Sequence, residues 1–319
     1  MQSIGMFFTL GMKIKKIKAL HLKLQEIVDN EDPDDESYTI YSEAEQKCRK
    51  YTQIIWYYFI LHELLWPFAF LYPFYCIYKG QHDTSKWFLP FSLWVPFSTE
   101  SIFGWYLMWF IQFNMSIVYI TVILSATAYF VSCAVYIIAI CDHFELQFKS
   151  LKEDENKNRN QSSRQHQIKI KKAIDIHVNV YEVFRILAEI NSGVIFSLLP
   201  GSALFLALTM FNTENSNIDA LLIVWCTVCI TGSLLWPFLF CKFATIATNK
   251  IHNIGLLTHS DWFTYPLDLQ KSMILIIARS QEPIHFSGLN LFYCNVEVFG
   301  KIIKTSCSYY LIFRSVTEH

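Results

Sequence analysis

The sequence predicts an all-α fold, a polytopic transmembrane helical bundle with a cytosolic helical anchor, about five full spans and one partial one. Three observations carry that expectation. Charged residues make up only 17% of the 319 positions and apolar or aromatic ones 53%, whereas soluble domains carry about 25% charged residues. Lys and Arg are absent from Tyr51 to Tyr78, from Trp87 to Phe148 and from Ile186 to Cys241, as a hydrocarbon interior demands, because a charge at mid-bilayer is costly. The remaining basic residues alternate between loops: eight up to Lys50, one in 82–103, nine in 142–190 and none in 212–218. By the positive-inside rule, residues 13–52, 142–190 and 246–288 are expected in the cytosol, and His319 outside the cell.

A bilayer core about 30 Å thick needs roughly 20 helical residues. Met1–Met12 is too short to span, and its positive charges (Lys13, Lys15, Lys16, Lys18) follow the apolar stretch. A signal peptide has the reverse order, so this piece is expected to be the tail of a truncated helix entering the cytosol. After a cytosolic lead over 13–52, spans are expected at about 53–77, 106–141, 192–211, 220–245 and 291–313. Glu297, Lys301 and Lys304 interrupt the last of them. The second runs 36 residues, Tyr106–Cys141, without a Lys, Arg, Asp or Glu, about 54 Å as helix and more than tilt absorbs. It should project past the cytosolic face and pack there against protein. Two amphipathic segments are its expected partners: 168–190, with Ile170, Ile174, His177, Tyr181 and Phe184 on one stripe, and Pro266–Arg279, with Met273, Ile274 and Ile277. Glu153–Gln167 reads as a polar linker. The whole chain, 1–319, is thus one transmembrane domain with anchor segments at 142–190 and 246–288.

Nothing points to an enzyme. P-loop, H-E-x-x-H, nucleophile-elbow and dinucleotide fingerprints are absent, so no catalytic residue, metal or cofactor is expected. A net charge of −1, with basic residues dispersed over loops, implies no nucleic-acid partner. Nine cysteines are scattered, mostly in apolar runs, where they act as small hydrophobes; Cys226 and Cys229 are expected to pack. Asp32–Glu36 reads as a solvated acidic turn. Neither the Asn114 sequon, within a span, nor the cytosolic Asn160 sequon is expected to carry a glycan.

His62 and Glu63 fall mid-span, where ionisable groups either serve function or make a buried polar contact between helices; both readings stay open. Pro67, Pro73, Pro200, Gly201 and Pro237 also lie within spans, where breakers can leave backbone groups facing a cavity. Many aromatic side chains flank the outer halves of the spans, as interfacial belts or as an apolar ligand cavity. Trp66, Phe70, Met108 and Gln112 are the expected border of such a cavity. Thr305, Ser308, Ile312 and Ser315 fall on one face of the last span, which suits a wet pore closed by an apolar ring or simple helix packing.

The C-terminal third resembles the insect odorant receptors. The residues that carry the likeness are His259-Ser260-Asp261-Trp262, Leu269 through Pro283, Phe299, and Ile303 through Arg314. Upstream, Leu89-Pro90, Trp94 and Pro96-Phe97 resemble that family's outer loop, and Ile174–Glu189 the lead into its fifth helix. Ser308-Tyr309-Tyr310 followed by Phe313-Arg314 departs from the ending of the gustatory branch. The compact 142–190 loop is unlike the long insertion of the obligate co-receptor, so the chain resembles an odour-tuning subunit. The resemblance implies a plasma-membrane subunit, cytosolic at its N-terminus, of a ligand-gated non-selective cation channel that assembles as a heterotetramer with the co-receptor among membrane lipids. It further implies a small volatile apolar odorant as ligand and a pore lined by the last helix. Against that family the first helix and most of the second are expected to be absent, which leaves a non-functional truncated paralogue as one alternative. A multi-span small-molecule transporter is another, although no internal repeat supports it. A G-protein-coupled receptor would place its C-terminus on the opposite side.

Overall fold

The protein's structure, a computed structural model, describes residues 6, 10–32, 35–80, 87, 89, 95–157, 163–215, 220–259, 262–264, 267–282 and 284–317. Most of the expected truncated helix, part of the acidic turn, Pro90, Trp94, Asn160, Ser260-Asp261, Pro283 and His319 lie outside these. Helix α1 (Ile14–Asp29) is followed by α2 (Glu36–Glu63), α3 (Leu65–Tyr78), α4 (Ile102–Lys157), α5 (Ser163–Asn215), α6 (Ala220–His259), α7 (Leu267–Ser280) and α8 (Val296–Thr317). A two-stranded hairpin, β1 (Ser287–Gly288) with β2 (Phe292–Tyr293), sits between the last two helices. The result is an all-α polytopic bundle.

The segment expected as one span over 53–77 is two helices that break at Leu64. Pro67 explains the position: it lacks an N–H, and its ring would collide with the Glu63 carbonyl in a continuous helix, so it sits in the first turn of α3 instead. Beyond α3, Gly80 takes a φ of 76°, the left-handed conformation that commonly follows a helix end. The opposite happens in α5. The expected cytosolic helix 168–190 and span 192–211 are one 53-residue helix. No proline occurs before Pro200, and Asn191, the polar residue at the join, donates to the Leu187 carbonyl of its own helix at 3.0 Å. Helix α4 runs 56 residues, roughly 84 Å at 1.5 Å per residue, as its uncharged length implied. Together α4 and α5 absorb most of the expected linker.

Four helical stretches are long and apolar enough to cross a membrane: Glu36–Tyr78, Ile102–Leu151, Ile168–Phe211 and Ile223–His259. The expected fifth, over 291–313, differs. Residues 291–295 belong to the hairpin and its exit, and the 22-residue α8 carries Glu297, Lys301, Lys304 and Arg314. These charges keep it below the apolarity of the other four.

One end of the bundle gathers the basic segments. There α1 lies on α5 through Lys16–Glu189 and Lys23–Glu182 ion pairs, and Lys172 reaches Glu31 at 2.9 Å. Lys250 joins α6 to Asp142 of α4 at 2.5 Å. Buried His143 meets the Tyr41 hydroxyl at 3.0 Å. In α5, His177, Tyr181 and Phe184 are buried, as their stripe implied. In α7 the packed residues are Met273 and Ile276, whereas the expected Ile274 is exposed. A 273/276 pair keeps the three-residue helical spacing, and Ile274 is turned about 100° away from Met273.

Between the two ends, four phenyl rings lock α4, α5, α6 and the hairpin together. Phe130 stacks on Phe240 with centroids 4.4 Å apart, and Phe286 stands edge-on to Phe130 at 5.1 Å while meeting Phe184 at 4.4 Å. All four are buried. The hairpin beside them has no room for larger residues: a Cβ on Gly288 would come within 2.6 Å of the Phe292 ring and 3.1 Å of the Phe196 Cα. Its turn uses positive φ at Leu289 and Asn290, 49° and 59°. Removing a buried phenyl ring costs about 3–5 kcal/mol. Phe286→Ala should therefore sharply lower the thermal unfolding midpoint of detergent-purified protein, whereas Phe74→Ala, at a 58% exposed position, should leave it nearly unchanged.

Candidate functional site

Far from the basic end, the start of α4 faces α3 and α6 with an unusual density of rings. On α3, Trp66, Ala69, Pro73 and Cys76 are buried at helical spacing. On α4 the buried stripe is Trp105, Met108, Gln112 and Ser116, flanked by half-buried Trp109 and Phe113. Trp66 is the hub. Its ring lies 5.0 Å from Trp225 of α6, 5.5 Å from Phe113 and 6.1 Å from Trp109, each time edge to face. Phe70 is 4.9 Å from Trp109 and 5.3 Å from Tyr106, and Trp109 stacks on Phe113 at 5.2 Å. Such pairs contribute about 0.5–1.5 kcal/mol each beyond burial.

Of the four residues expected to border a cavity, Trp66 and Phe70 share this cluster through Trp109. Met108 and Gln112 are each 1% exposed and form the adjacent buried stripe of α4. Phe70, at 38% exposure, is the open edge of the cluster. Sequence reasoning missed Trp109, Phe113 and Trp225. The first two were within reach, since Trp105, Trp109 and Phe113 recur every four residues; Trp225 carries no such signal.

The polar atoms here are few. The indole nitrogens of Trp66, Trp105 and Trp109 are buried with no hydrogen-bond acceptor among the described residues, as is the Oε2 of Glu63 without a donor. Edge-to-face geometry lets an indole N–H rest on a neighbouring π face; a carboxylate oxygen has no equivalent. His62 is buried, its Nδ1 3.3 Å from Glu63 Oε1 and its ring 5.6 Å from Trp225. This polar contact joins adjacent residues of one helix and is not the contact between helices that one reading expected. Cys229 packs against the same cluster.

The four residues expected to line a pore share one exposed face of α8: Thr305, Ser308, Ile312 and Ser315, with Ile312 at 54% exposure. The opposite face packs, through buried Ile302 and Ser306 and through Phe313 against Phe211 of α5 at 6.1 Å. Ser308 donates to the Lys304 carbonyl and Ser315 to the Ile312 carbonyl, at 3.1 and 2.9 Å.

Two cavities lie at the basic end. One, of about 590 Å³, is bordered by Tyr181, His252, His259, Gln281 and His285. The other, of about 170 Å³, is bordered by Lys23, Glu31, His143 and Lys172. The smaller has a largely charged lining, whereas the larger also carries Ile251, Leu256, Ile277 and Ile284 and is mostly apolar.

No curated protein matches the chain. Among solved structures, the insect olfactory receptor OR5 from Machilis hrabei, in complex with eugenol, superposes with a TM-score of 0.77 over 99% of this chain and 78% of that one, at 16% identity. A second structure of the same receptor gives the same values. At that identity the likeness establishes the fold. The family model of the 7tm odorant receptors matches residues 3–307. The chain is therefore a multi-pass membrane protein that belongs to the 7tm odorant receptor family.

Proposed function

We propose that the protein is an odour-tuning subunit of a ligand-gated, non-selective cation channel, and that a small volatile molecule binds in the aromatic cluster of α3, α4 and α6. The cluster carries the reading: a buried ring hub with one half-exposed edge and few polar atoms has the chemistry of a small-molecule site. The related receptor was solved with eugenol, a small aromatic molecule of the size such rings accommodate. In this reading the basic end lies in the cytosol and the aromatic end toward the outside, because the basic loops alternate. Helix α8 lines a central pore, its Thr305, Ser308, Ile312 and Ser315 face left open by the single chain. The other subunits, including the co-receptor, close the ring around it in the plasma membrane.

Three outcomes test this. Co-expressed with the co-receptor, Trp66→Ala and Trp109→Ala should each weaken odorant-evoked current at least tenfold in half-maximal concentration at unchanged surface expression. An unaltered response profile in both would remove the ligand from this cluster. Ile312→Ser should wet the narrowest point of the pore and raise current without odorant. A fall in every current, together with lower surface expression, would assign Ile312 to helix packing. An epitope after His319 should be accessible on intact cells and one near Gln161 only after permeabilisation; the reverse pattern would invert the orientation.

A further inference from the structure

Glu63 raises a separate question, one of charge. It is the single acidic residue between Tyr51 and Tyr78, and no Lys or Arg occurs anywhere in that stretch. The helices that face it are equally bare of cations, over Trp87–Phe148 and Ile186–Cys241. His62 takes one carboxylate oxygen, Oε1, at 3.3 Å. The other, Oε2, is buried with no donor among the described residues.

A carboxylate oxygen kept from water and left without a donor is strongly unfavourable, and ring faces do not relieve it, because their quadrupole is also negative. Just this combination attracts an organic cation. An ammonium group can donate to the open oxygen while its charge lies over aromatic faces, an attraction that desolvation strengthens. The link from Glu63 to the rings runs through its neighbour His62, whose ring lies 5.6 Å from Trp225, itself 5.0 Å from Trp66. Resting on the ligand site proposed above, we propose that this receptor is tuned to protonated organic amines. Glu63 is the counter-ion, and Trp66 and Trp225 form the aromatic wall. His62 holds the carboxylate in place and is a positioning residue.

The test uses the full chain in lipid nanodiscs, read by intrinsic tryptophan fluorescence, so that channel assembly is not required. The probes are benzylamine and benzyl alcohol, alike in shape and different in charge at neutral pH. Wild-type protein should bind the amine at least tenfold more tightly than the alcohol. Glu63→Gln should reduce that preference to within twofold, the loss falling chiefly on the amine. Equal affinities in the wild type, or a preference that survives Glu63→Gln, would overturn the proposal while leaving the aromatic site standing. Binding of neither probe, or alcohol binding indifferent to Trp109→Ala, would instead overturn the site itself and this inference with it. Should Glu63→Gln fail to reconstitute, the wild type alone decides: the preference must vanish above the pKa of the benzylammonium ion, and its persistence there would contradict the proposal.

Discussion

Phe286 enters the junction of three long helices, and the course of the chain on either side follows from that insertion. Its ring fills the space left by Phe130, Phe184 and Phe240, so the hairpin that follows is held flat against α5, where the Leu289 N–H donates to Ser192 Oγ at 3.0 Å. The hairpin in turn fixes where α8 begins. The Val296 N–H donates to Thr245 Oγ1 of α6 at 3.2 Å, and Asn295 caps the helix through the Val298 N–H at 2.8 Å. Cys294 and Cys241 pack beside these bonds with their sulfurs 3.8 Å apart. Beyond this entry point α8 packs on α5 and α6 through buried Ile302, through Phe299 against Phe238 and through Phe313 against Phe211.

The same arrangement separates the main core from a smaller cluster of rings. Phe130, Phe240 and Phe286 are completely or almost completely buried and belong to a core that runs from α1 through α8. The aromatic cluster near the far end is a smaller, distinct cluster, centred on Trp66 and Trp225, with half-buried rings around it. Helix α2 meets α6 closely just below it. The Tyr58 hydroxyl donates to the Val228 carbonyl at 2.7 Å, and a Cβ on Gly232 would lie 2.3 Å from that hydroxyl. Helix α6 thus touches the ring cluster through Trp225 and the entry of α8 through Thr245. A ligand that binds differently to two packings of these rings shifts the balance between them by that difference in affinity.

Much of this was legible in the sequence, and the reasons for the rest are physical. Three stretches without Lys or Arg marked the membrane helices, because a bilayer tolerates few charges. The excess length of the second span foretold the projection of α4. Continuity of α5 across residue 191 was not legible, since a change from amphipathic to uniformly apolar composition, with Gly193 beside it, looks like a boundary. The break at Leu64 was missed for the converse reason: Pro67 stood in view, but proline inside a span is compatible with a kink or with a new first turn. Trp66 and Phe70 stood out by ring density, and the structure places both in one aromatic cluster. Their partner Trp225 lies more than 150 positions away, and only the fold brings it to them.

Direct labelling of the site tests the central claim most sharply. A benzophenone-bearing aromatic odorant, photolysed with the full-length receptor in membranes and followed by peptide mass spectrometry, should mark α3 and the first three turns of α4, around Trp66, Phe70 and Trp109. An excess of the parent odorant should abolish the labelling. Competable labelling confined to the basic-end cavity, at His252, His259 or His285, would place the ligand elsewhere and contradict the account.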